Sequence, residues 1–362
     1  MGQARTSSLP VRPLVRILAG TVASTLIPAD ASAHVKWFCT IVDVTTPPVA
    51  LAQVLSPLFL SCCGGFLLLV FAGLVADGWI ARLWPGLLSS GDHLRKLEEL
   101  LVRVGIGAYC LCLWNRAAVV PWGHAGAILT PELLDHDRLV GALQVAVAVL
   151  VVSRRSCWLA AMVLVTLIGL GIARYGVFHM TDYVYFAGLA AYLALTSMRP
   201  GRLRRWRLPL LCASLSFSLM WTAIEKFLYP EWTAQILIEH PNLSAGLPVA
   251  SVVVIAGFVE FSLAFYLITG RGLLRVGAVA LMAVFLSATP EFGELDTVGH
   301  LPIVAILLAV AVRGATPMQD ALRLHGRGPA VNAAAVCGLY LATLSLMTAM
   351  YYGLQLTAAA PG

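Results

Sequence analysis

The 362-residue chain is 59% hydrophobic and only 12% charged, with a mean hydropathy of +0.85. Soluble domains carry roughly 25% charged residues, so a water-soluble core is excluded. The net charge of +6 does not imply a nucleic-acid partner, because the basic residues sit in short loops between apolar runs, where they orient membrane segments.

The first 33 residues read as a secretory signal. Arg5, Arg12 and Arg16 form a positive region, Ile17 to Ala29 an apolar one, and Ala31-Ser32-Ala33 a cleavage site. Cleavage makes His34 the first mature residue of a periplasmic segment, 34–56, in which Trp37 and Phe38 anchor at the membrane interface.

Apolar runs and their breakers then predict an all-α, polytopic transmembrane bundle of about ten spans. The helices fall at about 57–80, 104–120, 139–153, 157–174, 184–198, 208–228, 248–269, 274–289, 299–312 and 330–354. Residues 89–103 carry mixed charge at helical spacing, with Ser90 as cap, and read as an interfacial helix. The segment PWGHAGAILTPELLDHD is apolar enough to lie in the interface, with a helix start at Thr130-Pro131-Glu132.

Sixteen of the 24 Lys and Arg residues collect at the turns that follow the first, third, fifth, seventh and ninth spans, which makes those turns cytoplasmic and places the mature N-terminus outside a bacterial-type inner membrane. Six of the eight histidines then fall on the outer side. Two four-helix units, 104–200 and 208–312, suggest an internal repeat: Trp114 to Arg116 answers Trp221 to Lys226, Gln144 answers Glu260, and Asp182 answers Asp296. An even helix count makes such copies parallel.

Five groupings carry candidate chemistry. Glu260 lies mid-span, where an ionised carboxylate costs on the order of 2.5 kcal/mol unless paired, so it faces the bundle. Glu225 and Lys226 are its nearest candidate partners, and neighbours 100° apart on a helix cannot both face it; Lys226 is the expected counter-ion. Asp296 and His300, spaced i, i+4, share one face and suit a metal, a hydrogen-bonded cap or an oriented base. Glu291 and Glu294 stand just upstream. His179, Met180 and Asp182 occupy the corresponding mouth of the first unit, and imidazole with thioether suits copper. A terminal His34 would chelate copper through its α-amine and imidazole, and Asn115 with Arg116 could meet an anionic substrate or a quinone carbonyl. Of the eight cysteines, Cys39 alone is clearly in an outer segment, so no disulfide framework is implied.

WTAIEKFLYPEW (221–232), GFVEFSLAFYLITG (257–270) and FGELDTVGHLPIVAILLAV (292–310) resemble the DoxX-like membrane proteins. These are four-helix units with a Lys late in the first helix and a Glu in the second. The resemblance implies a quinone-linked or redox-associated membrane subunit with a redox partner. It would use Glu260, Lys226 and Glu225 as a charge or proton site and Asp296 with His300 as ligand or base. The rival reading is a copper-handling membrane protein using His34, His179, Met180, Asp182, Asp296 and His300. A third is a scaffold whose ionic residues only set helix packing.

Overall fold

The computed structural model describes residues 46–88, 91–119, 126–135, 137–324 and 326–359. The signal region, its cleavage site, His34, Trp37, Phe38, Cys39, Ser90, His124 and His136 lie outside the described residues, as does the side chain of Arg116.

A short turn of helix, α1 (Leu51–Val54), leads into α2 (Pro57–Leu83), which opens on a Ser56 cap with Pro57 in the first turn. Then follow α3 (Asp92–Val119), α4 (Arg138–Leu150), α5 (Cys157–Met180), α6 (Val184–Ser197) and α7 (Arg207–Leu228). The rest comprises α8 (Pro230–Glu239), α9 (Val249–Thr269), α10 (Leu274–Arg313), α11 (Pro317–Ala321) and α12 (Pro329–Ala359). Among the described residues, six helical segments are long and apolar enough to cross a membrane: 57–83, 157–197, 204–228, 249–269, 274–313 and 329–356.

Helix α7 is the axis of the bundle, flanked by α6 and α9, with α5 behind α6 and α10 beside α3 and α9. In its most apolar stretch 72% of residues are buried, against 11% for α2, which packs mainly on α12 and α9. The outer faces carry large bare apolar side chains, among them Leu68, Leu69, Val152 and Leu356, each at least 65% exposed. Such a surface is stable in lipid and not in water, so this is a helical bundle of multi-pass membrane type.

The two longest segments fold back on themselves. A straight helix of 40 residues would run about 60 Å, twice the hydrocarbon thickness. In α10 the Phe285 and His300 rings lie 4.8 Å apart and Thr289 donates to Asp296 at 3.2 Å, contacts that a straight helix forbids. The reversal occurs at Gly293 (φ 69°, ψ −145°), three residues after Pro290 has removed a helical donor. Gly176 (φ 79°, ψ 165°) breaks the other long segment near the α5–α6 junction. These angles belong to a region that only glycine adopts without strain. Gly293→Ala should therefore cost about 1–3 kcal/mol in detergent-solubilised protein. Gly169→Ala, within α5 and with no atom within 4 Å of the added carbon, should leave the melting temperature unchanged or slightly raised.

Three expectations are corrected here. The interfacial segment 89–103 and the span 104–120 do not form separate elements: α3 is one continuous 28-residue helix. The 274–289 and 299–312 spans are joined by helix through the Gly293 reversal. The segment after α3 has no helix start at Thr130; it forms a small antiparallel ladder, Gly126–Ala127 against Leu134–Asp135, folded into the protein. Ile128, Leu129 and Leu133 are buried there because Tyr109 donates to Leu129 O and Gln144 to Ala127 O and Ile128 O. Satisfying those carbonyls within the bundle removes any need for interfacial water.

Candidate functional site

Near the C-terminal end of α7 the helical twist sends successive acidic and basic side chains to opposite sides. Lys226 is 6% exposed and donates from Nζ to Glu260 Oε2 of α9 at 2.7 Å. Glu225 turns instead to α12, where the Tyr351 hydroxyl donates to its Oε2 at 3.2 Å. Tyr351 sits among aromatic rings, with Trp221 at 4.7 Å and Phe178 at 5.2 Å. Glu225 therefore ties α7 to α12, and Lys226 ties α7 to α9.

The Lys226–Glu260 pair is asymmetrically exposed. Lys226 is sealed, whereas Glu260 is 19% exposed and forms part of the wall of an apolar pocket of about 230 Å³. Leu243, Leu247, Val252, Ile255, Val259 and Val284 supply most of the remainder, and Glu260 is its one ionisable lining residue among those described. The carboxylate, held by the ammonium behind it, can accept a hydrogen bond from a hydroxyl placed in the pocket and can take its proton.

Asp296 and His300 lie on the second limb of α10, both buried. His300 Nδ1 is 3.0 Å from Asp296 Oδ1, close enough for an ion pair but out of line for a hydrogen bond, while Thr289 holds the other carboxylate oxygen. Packed against Phe285, this pair closes the hairpin between the two limbs.

Among the described residues, the predicted copper residues do not meet at one centre. His179 Nε2 pairs with Glu132 at 3.1 Å, and Tyr183 donates to the same carboxylate. Met180 is buried against Gly171 and Asp182 is buried beside it in the chain. His240 pairs with Glu291 at 2.8 Å, so Glu291 is not a ligand neighbour of Asp296. Among the described residues no three His, Cys, Asp or Glu side chains meet as a metal site requires. Among the described residues these polar groups resolve into separate pairs. Asn115 is exposed near the end of α3. The seven described cysteines are all free.

No family model, curated protein or solved structure matches this chain.

Sequence reasoning missed two further buried ionic centres. Asp77 of α2 is fully buried; its Oδ1 accepts from Tyr266 Oη at 2.5 Å and from the Arg271 and Leu273 backbone N–H groups at 2.9 and 2.8 Å. Arg323 donates to its Oδ2 at 2.6 Å. The signal was available, since Asp77 is a carboxylate inside an apolar run just as Glu260 is. The second centre is the neighbouring pair Glu98 and Glu99 of α3. Glu99 accepts a two-pronged contact from Arg154, another from Arg207 at 2.8 Å, and contacts from Arg103 and Arg204 at 3.3 Å. Glu98 accepts from Tyr192 at 2.5 Å and from Arg207 at 3.0 Å. These arginines had been read as topology signals alone.

Proposed function

We propose that the protein is a DoxX-like, multi-pass inner-membrane protein of about ten spans with its mature N-terminus outside, and that it serves a quinone-linked redox partner. Two long segments that fold back, four single crossings, and α3 with α4 supply the ten passes. The two four-helix units are 104–200 and 208–312. The supporting observation is the sealed Lys226 behind a Glu260 that opens onto an apolar pocket. A lipid-soluble ligand reaches such a pocket from the bilayer, leaving its tail in lipid. Its polar ring then meets Glu260, the one ionisable lining residue among those described, as proton acceptor for a quinol hydroxyl, with Lys226 holding the carboxylate in place from behind. Oxidation of the quinol would pass two electrons to a partner subunit, one of its two protons going to Glu260 and the other to water.

The test is saturable binding of a short-chain ubiquinol to the full chain in phosphatidylcholine nanodiscs. Glu260→Gln keeps the shape but loses the charge-assisted acceptor, so affinity should fall by roughly tenfold or more, since a hydrogen bond to a charged group contributes about 1.5–3 kcal/mol. Unsaturable partitioning of the quinol, or equal affinity in the variant, would leave the pair an architectural bridge.

A further inference from the structure

Arg207 and Lys226 stand near opposite ends of α7, about 28 Å apart along its axis. The Arg207 end holds a second cavity, of about 480 Å³, formed by α3, the 151–156 turn, the 200–206 turn, the start of α7, the end of α10 and the start of α11. Its lining carries seven basic side chains against Asp92 and Glu98. Even when Glu99 behind the wall is counted, four positive charges are in surplus. Arg154, Arg204 and Arg207 are committed inward to Glu99, which fixes the wall. Arg95, Lys96 and Arg205 are exposed at its rim, Arg95 sharing Asp92 at 3.4 Å.

We infer that this cavity binds a phosphate-bearing anion, and that an anionic phospholipid headgroup is one of its two sources, free phosphate being the other. Guanidinium forks match phosphate oxygens two at a time, and a rigid arginine wall is preorganised for them. The volume admits a glycerophosphate headgroup. Leu97, Leu100, Leu203 and Leu210, each at least 40% exposed, stand on the same elements and offer acyl chains an apolar flank. A rim that existed only to orient the bundle would need neither a cavity nor carboxylates buried behind it. The inference does not depend on the reading of Glu260, because the two sites occupy opposite ends of α7.

The experiment uses the full chain and an Arg95→Gln/Lys96→Gln/Arg205→Gln variant. Native mass spectrometry of protein purified from membranes rich in phosphatidylglycerol and cardiolipin reads retained lipid. Titration of inorganic phosphate into phosphatidylcholine nanodiscs reads the free ion. Wild type should retain an anionic lipid, or bind phosphate saturably. The triple variant should bind roughly 100-fold more weakly, at about 1 kcal/mol for each basic group removed. Its ligand-free melting temperature should be unchanged, since the altered side chains are exposed. Arg95→Lys/Arg205→Lys should keep most of the affinity, which separates lost charge from lost structure. Lipid retained without phosphate binding assigns the headgroup, and the converse assigns the free ion. Wild type that binds neither, or a triple variant that binds as wild type does, overturns the inference.

Discussion

Exchanging Glu99 for alanine should remove about 3–5 kcal/mol of unfolding free energy at pH 7, measured by thermal unfolding in detergent. Its carboxylate is 2% exposed and receives guanidinium groups from Arg103, Arg154, Arg204 and Arg207. Without it Arg207, itself buried, loses half its compensation and keeps only Glu98. The elements joined there, α3, the turn before α5, and the start of α7, then repel one another. A loss below 1 kcal/mol would mean that water already reaches these arginines.

The same centre sets an acid limit. Burial alone would raise the Glu99 carboxyl, but hydrogen bonds from Arg154 and Arg207 and the charges of both outweigh it, taking it from 4.5 to about 2. A carboxylate depressed in the folded state stabilises in full above its unfolded value and loses that contribution as pH falls towards the folded one. Wild type should therefore shed on the order of 3 kcal/mol from this group between pH about 4.5 and about 2. The alanine variant should lack that step, so the two stability curves converge in acid.

What could be read from the chain was whatever one helix determines by itself. Apolar runs located the long helices, and the spacing of Glu225 and Lys226 told which of the two could reach Glu260. Partners brought together by reversals were not readable. Phe285 meets His300 only because Gly293 turns the chain back, and a lone glycine after a proline does not state its angles. Tyr351 meets Glu225 from a helix more than 100 residues away, with no local mark distinguishing it from a packing tyrosine. Glu98 and Glu99 are visible as a pair, but their partners come from α6, α7, α10 and a turn, so mixed charge at helical spacing reads as an interfacial helix.

Lys226→Met gives the second large effect and separates architecture from chemistry. Removing the buried ammonium strands Glu260 in an apolar span, a cost of about 2.5–3.5 kcal/mol. Adding Glu260→Gln in the same chain removes the stranded charge, and replacing both members of a buried pair is often neutral, so stability should return to within about 1 kcal/mol of wild type. If the pair only bridges α7 and α9, quinol partitioning is the same in wild type, single and double variants, and melting temperature is the sole quantity that moves. If Glu260 receives a proton or hydrogen bond from a ligand in the apolar pocket, the double variant recovers stability while quinol affinity stays lost. Stability and binding respond together to the first substitution and part at the second, because the fold requires only that the charges cancel whereas the ligand requires the carboxylate itself.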